Sequence, residues 1–275
     1  RELPPPPAAA PVQAAALPER MPADRATRRG WQMLACFVVA EITFVAASVI
    51  AVLPFLLSVR HAGPGMRLPG AALVTALAIP PAVAAVVAAG GAVLISRGRL
   101  VDRLRDQLSL RWRLYDVAMG LSLGLVGLAV TVPASALWAR WVGESQANSA
   151  VGEIFHGQRL SLGWALTLFV GVWLIAPLGE ELLYRGLLWR AMEHWAWNRW
   201  VITGLTTVLF ALAHPLFSGS HIELLRSPLL VVITLPIALA RLLSGNLLAS
   251  IVAHQANNFL PAIGLLLITQ GAAPT

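Results

Sequence analysis

"LGWALTLFVGVWLIAPLGEELLYRG", residues 162 to 186, is uncharged through Gly179 and then carries Glu180, Glu181 and Arg185. The uncharged part is long, rich in Leu, Ala and Val, and lacks the alternation of a barrel strand, so it reads as membrane-spanning helix. At the centre of such a helix an acidic or basic residue costs roughly 2.5–3.5 kcal/mol. Three of them so close together need a reason. A loop edge, a structural ion pair and the working part of an enzyme are the three available.

The rest of the chain is of the same kind. Of its 275 residues, 57% are hydrophobic and only 12% charged, about half the charged share of a soluble domain. Seven stretches are long or apolar enough to cross a bilayer: 31–59, 70–96, 115–139, 162–189, 200–216, 228–244 and 246–270. The expected fold is therefore an all-α polytopic membrane helix bundle of about seven transmembrane helices. "IPP" at Ile79–Pro81 should kink the second. Residues 1–29, rich in Pro, Ala and Arg without an apolar face, read as a disordered tail. Residues 30–159 read as N-terminal transmembrane helices, and 160–275 as the part that carries the chemistry. Cys36 stands alone, which leaves no intrachain disulfide and no cysteine zinc cage.

All twenty basic residues are arginine, and the formal charge is +7. They sit mostly in the tail and in alternate connections, which points to membrane orientation and lipid contact rather than to nucleic acid. Arg25, Arg28 and Arg29 precede the first span, Arg97 to Arg113 fill the second connection, and Arg190 and Arg199 flank the fourth. That bias places the N-terminus in the cytoplasm and the C-terminus outside. Trp189, Trp195, Trp197 and Trp200 beside Arg190 and Arg199 fit an interfacial aromatic belt. The absence of lysine alongside abundant Ala, Leu and Gly fits a high-GC bacterial genome, hence an inner-membrane protein.

Polar groups inside the spans gather in three places: Glu180, Glu181 and Arg185; His214 in "FALAH"; and His254, Asn257 and Asn258 in "HQANN". At 1.5 Å per residue, Glu180 lies about 15 Å from the inner face, His214 about 22 Å, His254 about 12 Å and Asn258 about 18 Å. Three helices thus deliver costly groups to one slab. Glu181 and Arg185 are four apart with the acid first, the favourable order for a pair. Glu180, rotated by about 100°, is left as the free carboxylate. Such a carboxylate suits a general base, with one histidine sharing a water and the other histidine and the asparagine hydrogen-bonding an oxyanion.

"EELLYR" (Glu180–Arg185), "FALAH" (Phe210–His214) and "HQANN" (His254–Asn258) also match EExxxR, FxxxH and HxxxN, in that order. Over about residues 160 to 262 the chain resembles the CAAX-protease and bacteriocin-processing family of intramembrane glutamic proteases (CPBP, or Abi). The resemblance implies a metal-independent endopeptidase acting on a membrane-associated protein or peptide. It implies that Glu180 and His214 activate water, that His254 and Asn258 stabilise the tetrahedral intermediate, and that Glu181 and Arg185 support them. Two other readings use the same cluster. Glu180, His214 and His254 could be the ligands of a zinc hydrolase, although no HExxH occurs. A bacteriocin-immunity or transport-type protein could bind a peptide or cation there without cleaving anything. Asp116 and Glu41 read as buried or interfacial polar groups, Glu41 also fitting a lateral-gate or substrate contact.

Overall fold

A computed structural model describes residues 23–62, 69–96, 99–143, 150–155, 157–218 and 221–271. All regular structure among these residues is helical: α1 Ala23–Ala62, α2 Gly70–Ile95, α3 Leu100–Leu108, α4 Leu114–Val142, α5 Ala150–Phe155, α6 Leu162–His194, α7 Arg199–Ser218, α8 His221–Ser244 and α9 Leu247–Gln270. Six of them are long and apolar enough to cross a membrane, and the apolar part of α7, Arg199–His214, is a shorter seventh. The chain is a multi-pass membrane helix bundle.

Three boundaries differ from the sequence reading. Helix α1 starts at Ala23, inside the stretch read as tail; residues 1–22 lie outside the described residues. Asp24 sits in its first turn, where the helix dipole favours a carboxylate. Trp31 packs on Trp195 with ring centroids 5.0 Å apart and anchors the start of α1. With its 40 residues, α1 is about 60 Å long against a hydrocarbon core of about 30 Å, so its ends stand outside that core. Helix α2 runs through Pro80 and Pro81 without interruption, and α8 begins seven residues ahead of Pro228. Pro228 reads as the start of the sixth span and Ile79–Pro81 as a kink in the second, but in an apolar bundle neighbouring helices compensate for each lost N–H. The third difference is α3, a short amphipathic helix in the arginine-rich second connection.

Helix α6 is the axis of the bundle. From Glu181 to Met192 nearly every side chain is buried, and Leu182, Leu183, Leu187 and Leu188 pack with Met33, Ala84, Ala88, Phe210 and Ile251 from α1, α2, α7 and α9. By contrast α1 turns Val38, Ile42, Val45, Val49 and Ile50 outward, as expected of a helix bordering lipid. Behind the axis, α9 lies along α4. A Cβ on Gly120 would fall 2.6 Å from Ala249 O, and one on Gly124 2.8 Å from Ala253 O. This small-residue spacing lets the two backbones close up. Thr131 Oγ1 then donates to Asn257 Oδ1 at 3.1 Å, which fixes the rotation of α9.

Candidate active site

Helix α6 is not regular where it matters. Two wide π turns, Gly171–Ile175 and Leu182–Leu188, bracket the segment Ala176–Glu181. In the first, the N–H of Ala176 reaches back to Gly171 O. The next donor in that register would come from residue 177, which is proline and has none. The carbonyl it would have taken, Val172 O, accepts instead from Asn258 Nδ2 at 3.3 Å. Thus Pro177 creates the acceptor that holds Asn258. After the second wide turn the N–H of Trp189 reaches Tyr184 O, and Arg185 O accepts from Arg241 Nε at 3.1 Å. Gly179 has a separate task, since a Cβ there would lie 2.6 Å from Pro81 O. Its lack of a side chain lets α6 close onto α2 immediately before the glutamates.

The pair expected from spacing is present. Arg185 Nη1 lies 3.0 Å from Glu181 Oε1, both side chains fully buried. What spacing does not reveal is the third member. His254 Nδ1 lies 3.0 Å from the same Glu181 Oε1. A carboxylate only accepts, so Nδ1 carries the hydrogen and Nε2 points on. It meets Glu180 Oε2 at 3.6 Å, too far for a direct hydrogen bond and close enough for both to hold one further molecule. Glu180 is the partly exposed member of the pair, at 28%. The carboxylate that spacing leaves outside the Glu181–Arg185 pair is thus faced by His254.

Phe210 ties the group together. Its ring lies under Arg185 Cζ at 4.7 Å, and its centroid is 4.6 Å from His214, 5.3 Å from Tyr184 and 5.8 Å from His254. A desolvated cation–π contact of this kind is worth about 2 kcal/mol. His214 Nδ1 lies 2.9 Å from Phe210 O, so Nδ1 is the donor and Nε2 keeps its lone pair as an acceptor. His214 makes no hydrogen bond to Glu180 among the described residues; the two share a neighbour, Glu41 of α1.

The structure thus brings Glu180, Glu181, Arg185 and His254 into contact, joins His214 to them through Phe210, and sets Asn258 one turn further along α9 on Val172 O. Asn257 faces away, toward α4. Among the described residues no group of three His, Cys, Asp or Glu side chains that could hold a metal ion is found. Trp189 also departs from expectation: only 1% exposed, it lies under Arg241 instead of in the interfacial belt. Asp116 is buried and hydrogen-bonds Asn246, whose amide also holds Arg111 O and N and caps α9. Sequence reasoning missed Tyr184, Pro177 and Gly179 as parts of the site. Pro177 and Gly179 were visible as helix-disfavouring residues just ahead of two charges, the one available signal.

Residues 162–260 match the family model described as type II CAAX prenyl endopeptidase Rce1-like. The matched stretch contains every residue of the cluster. Over 91 residues the chain is 32% identical to an uncharacterized 24.3 kDa protein of Escherichia coli, an alignment covering 33% of this chain and 38% of that protein. No solved structure matches.

Proposed function

We propose that residues 162–260, an Rce1-like type II CAAX prenyl endopeptidase segment, form the hydrolytic centre of an intramembrane peptidase that needs no metal. The observation that carries the proposal is the paired use of one histidine: His254 is held at Nδ1 by the buried Glu181–Arg185 pair and presents Nε2 to Glu180. Water enters beside Glu180, the exposed member. Glu180 takes its proton, with His214 Nε2 as the second acceptor that orients it, and the oxygen attacks the carbonyl carbon of the scissile peptide bond. An ionised Glu180 and a neutral His254 would face each other with lone pairs, so the pair is suited to hold a proton. With a hydrogen on Nε2, His254 joins the Asn258 amide in hydrogen-bonding the oxyanion. The proton on Glu180 then moves to the amide nitrogen as the C–N bond breaks, leaving a carboxylic acid and an amine, which exchange the acid proton to become carboxylate and ammonium. Glu181 and Arg185 orient His254 and touch no substrate.

The substrate class is a membrane-associated protein or peptide, since the cluster lies inside apolar helices. Membranes from cells with the wild-type chain and with Glu180→Gln provide the test, through the N- and C-terminal peptides of the membrane proteome. Uncleaved precursors accumulate in the variant, and chelators leave wild-type cleavage unchanged. Identical termini in both membranes would favour an immunity or transport role, and chelator-sensitive cleavage would favour a metal enzyme.

A further inference from the structure

We propose that Glu41, on α1 and outside the Rce1-like segment, is a further residue of this site: its free carboxyl oxygen accepts a hydrogen bond from the main chain of the peptide being cut. The inference rests on the peptidase reading above. Helix α1 packs along α2 and against the second wide turn of α6. Phe37, one helical turn before Glu41, meets the edge of Tyr184 with ring centroids 5.5 Å apart. Tyr184 in turn lies on Phe210, which lies on His214. The Tyr184 side chain also faces the Glu41 carboxyl, and Oε1 of Glu41 is buried without a hydrogen-bond partner. Among the described residues, Glu180 and His214 also lie near Glu41.

A buried carboxyl oxygen without a donor weakens a fold, and more so in apolar surroundings. A peptide lying among these helices has the opposite shortage, because its own N–H groups have no water to bond. An N–H of the substrate bound at Oε1 satisfies both. The position suits lateral entry as well. Val38, Ile42 and Val45 beside Glu41 on α1 are exposed, so Glu41 stands where the outward face of the helix gives way to the site.

The precursor that accumulates in Glu180→Gln membranes supplies the cleavage-site peptide, used as a fluorogenic substrate with purified full-length protein in detergent. Glu41→Leu is expected to raise KM about tenfold, the loss of one hydrogen bond to substrate, with kcat nearly unchanged and thermal stability equal or higher. Glu41→Gln keeps an acceptor of the same reach and is expected to stay within about threefold of wild type. Wild-type kinetics in Glu41→Leu, or equal damage in both variants, would overturn the inference. An independent arm replaces Cys36 with Ala and tests Glu41→Cys in the Glu180→Gln background against the same peptide carrying a cysteine beside the scissile bond. A disulfide cross-link is expected, and its absence overturns the inference. If no precursor accumulates in Glu180→Gln, the peptidase reading falls and this inference with it. If precursors accumulate and Glu41→Leu is normal, the inference alone falls.

Discussion

At the scale of single residues, the cluster is held by charges that cannot be removed one at a time. Glu181 Oε1 receives both Arg185 and His254, and the Glu181 and Arg185 side chains are fully buried. Breaking a buried ion pair by deleting one partner costs about 3–5 kcal/mol, because the other charge stays buried and uncompensated. Glu181→Gln and Arg185→Met should therefore each lose about that much stability, while the double variant should lose clearly less than their sum. Unfolding of the purified protein in detergent, followed by heat, checks this; additive losses would show that the two side chains are not coupled. Legibility at this scale follows distance along the chain. Glu181 with Arg185 was readable because i and i+4 share a helix face. His254, seventy-three residues on from Glu181, could be placed only by depth, and depth does not say which glutamate it meets. The resemblance implies an oxyanion role for it beside Asn258; the structure shows it bonded to Glu181 and facing Glu180.

At the scale of elements, the working geometry comes from places where α6 departs from a regular helix. A proline inside a helix usually costs about 3 kcal/mol. Here Pro177 leaves Val172 O free, and Asn258 uses it. Pro177→Ala returns an N–H to that register and lets the helix satisfy its own carbonyl. The expected result is a protein at least as stable as wild type that cleaves about tenfold more slowly, as befits one misplaced hydrogen-bonding group. Thermal unfolding and cleavage rate, measured on the same preparation, check it; slower cleavage with lower stability would mean that Pro177 serves packing alone. None of this was readable as a wide turn, because hydrophobic periodicity in an all-apolar span is nearly featureless and the extra residue per turn leaves no mark. The seven spans themselves were readable for the same reason, since uninterrupted apolar length is the signal the bilayer imposes.

At the scale of the whole molecule, one end of the bundle collects the arginines. Arg190 donates to the backbone oxygens of Gln107 and Asp106, joining the end of α6 to α3. Asn246 joins the α8–α9 connection to residue 111, and Trp31 joins the start of α1 to the α6–α7 turn. The first turns of α1 and the second, fourth and sixth connections therefore share one end, as the arginine count implied. At the other end Leu160 and the last turn of α9 are bonded to each other, N–H of Leu160 to Thr269 O and Gln270 Nε2 to Leu160 O. Arginine-rich ends tend to stay in the cytoplasm, so we propose that this end is cytoplasmic; the start of α1 lies at it and the end of α9 at the other. On this basis, with Cys36 replaced by Ala, a cysteine at Trp197 should be shielded from a membrane-impermeant maleimide added to intact cells, and one at Gln270 should be labelled. Both sites should react once the membrane is permeabilised. The reverse pattern would invert the orientation. Protection of both sites in intact cells would mean that α7, the shortest apolar helix, does not cross, which would leave His214 off the slab that holds Glu180 and His254.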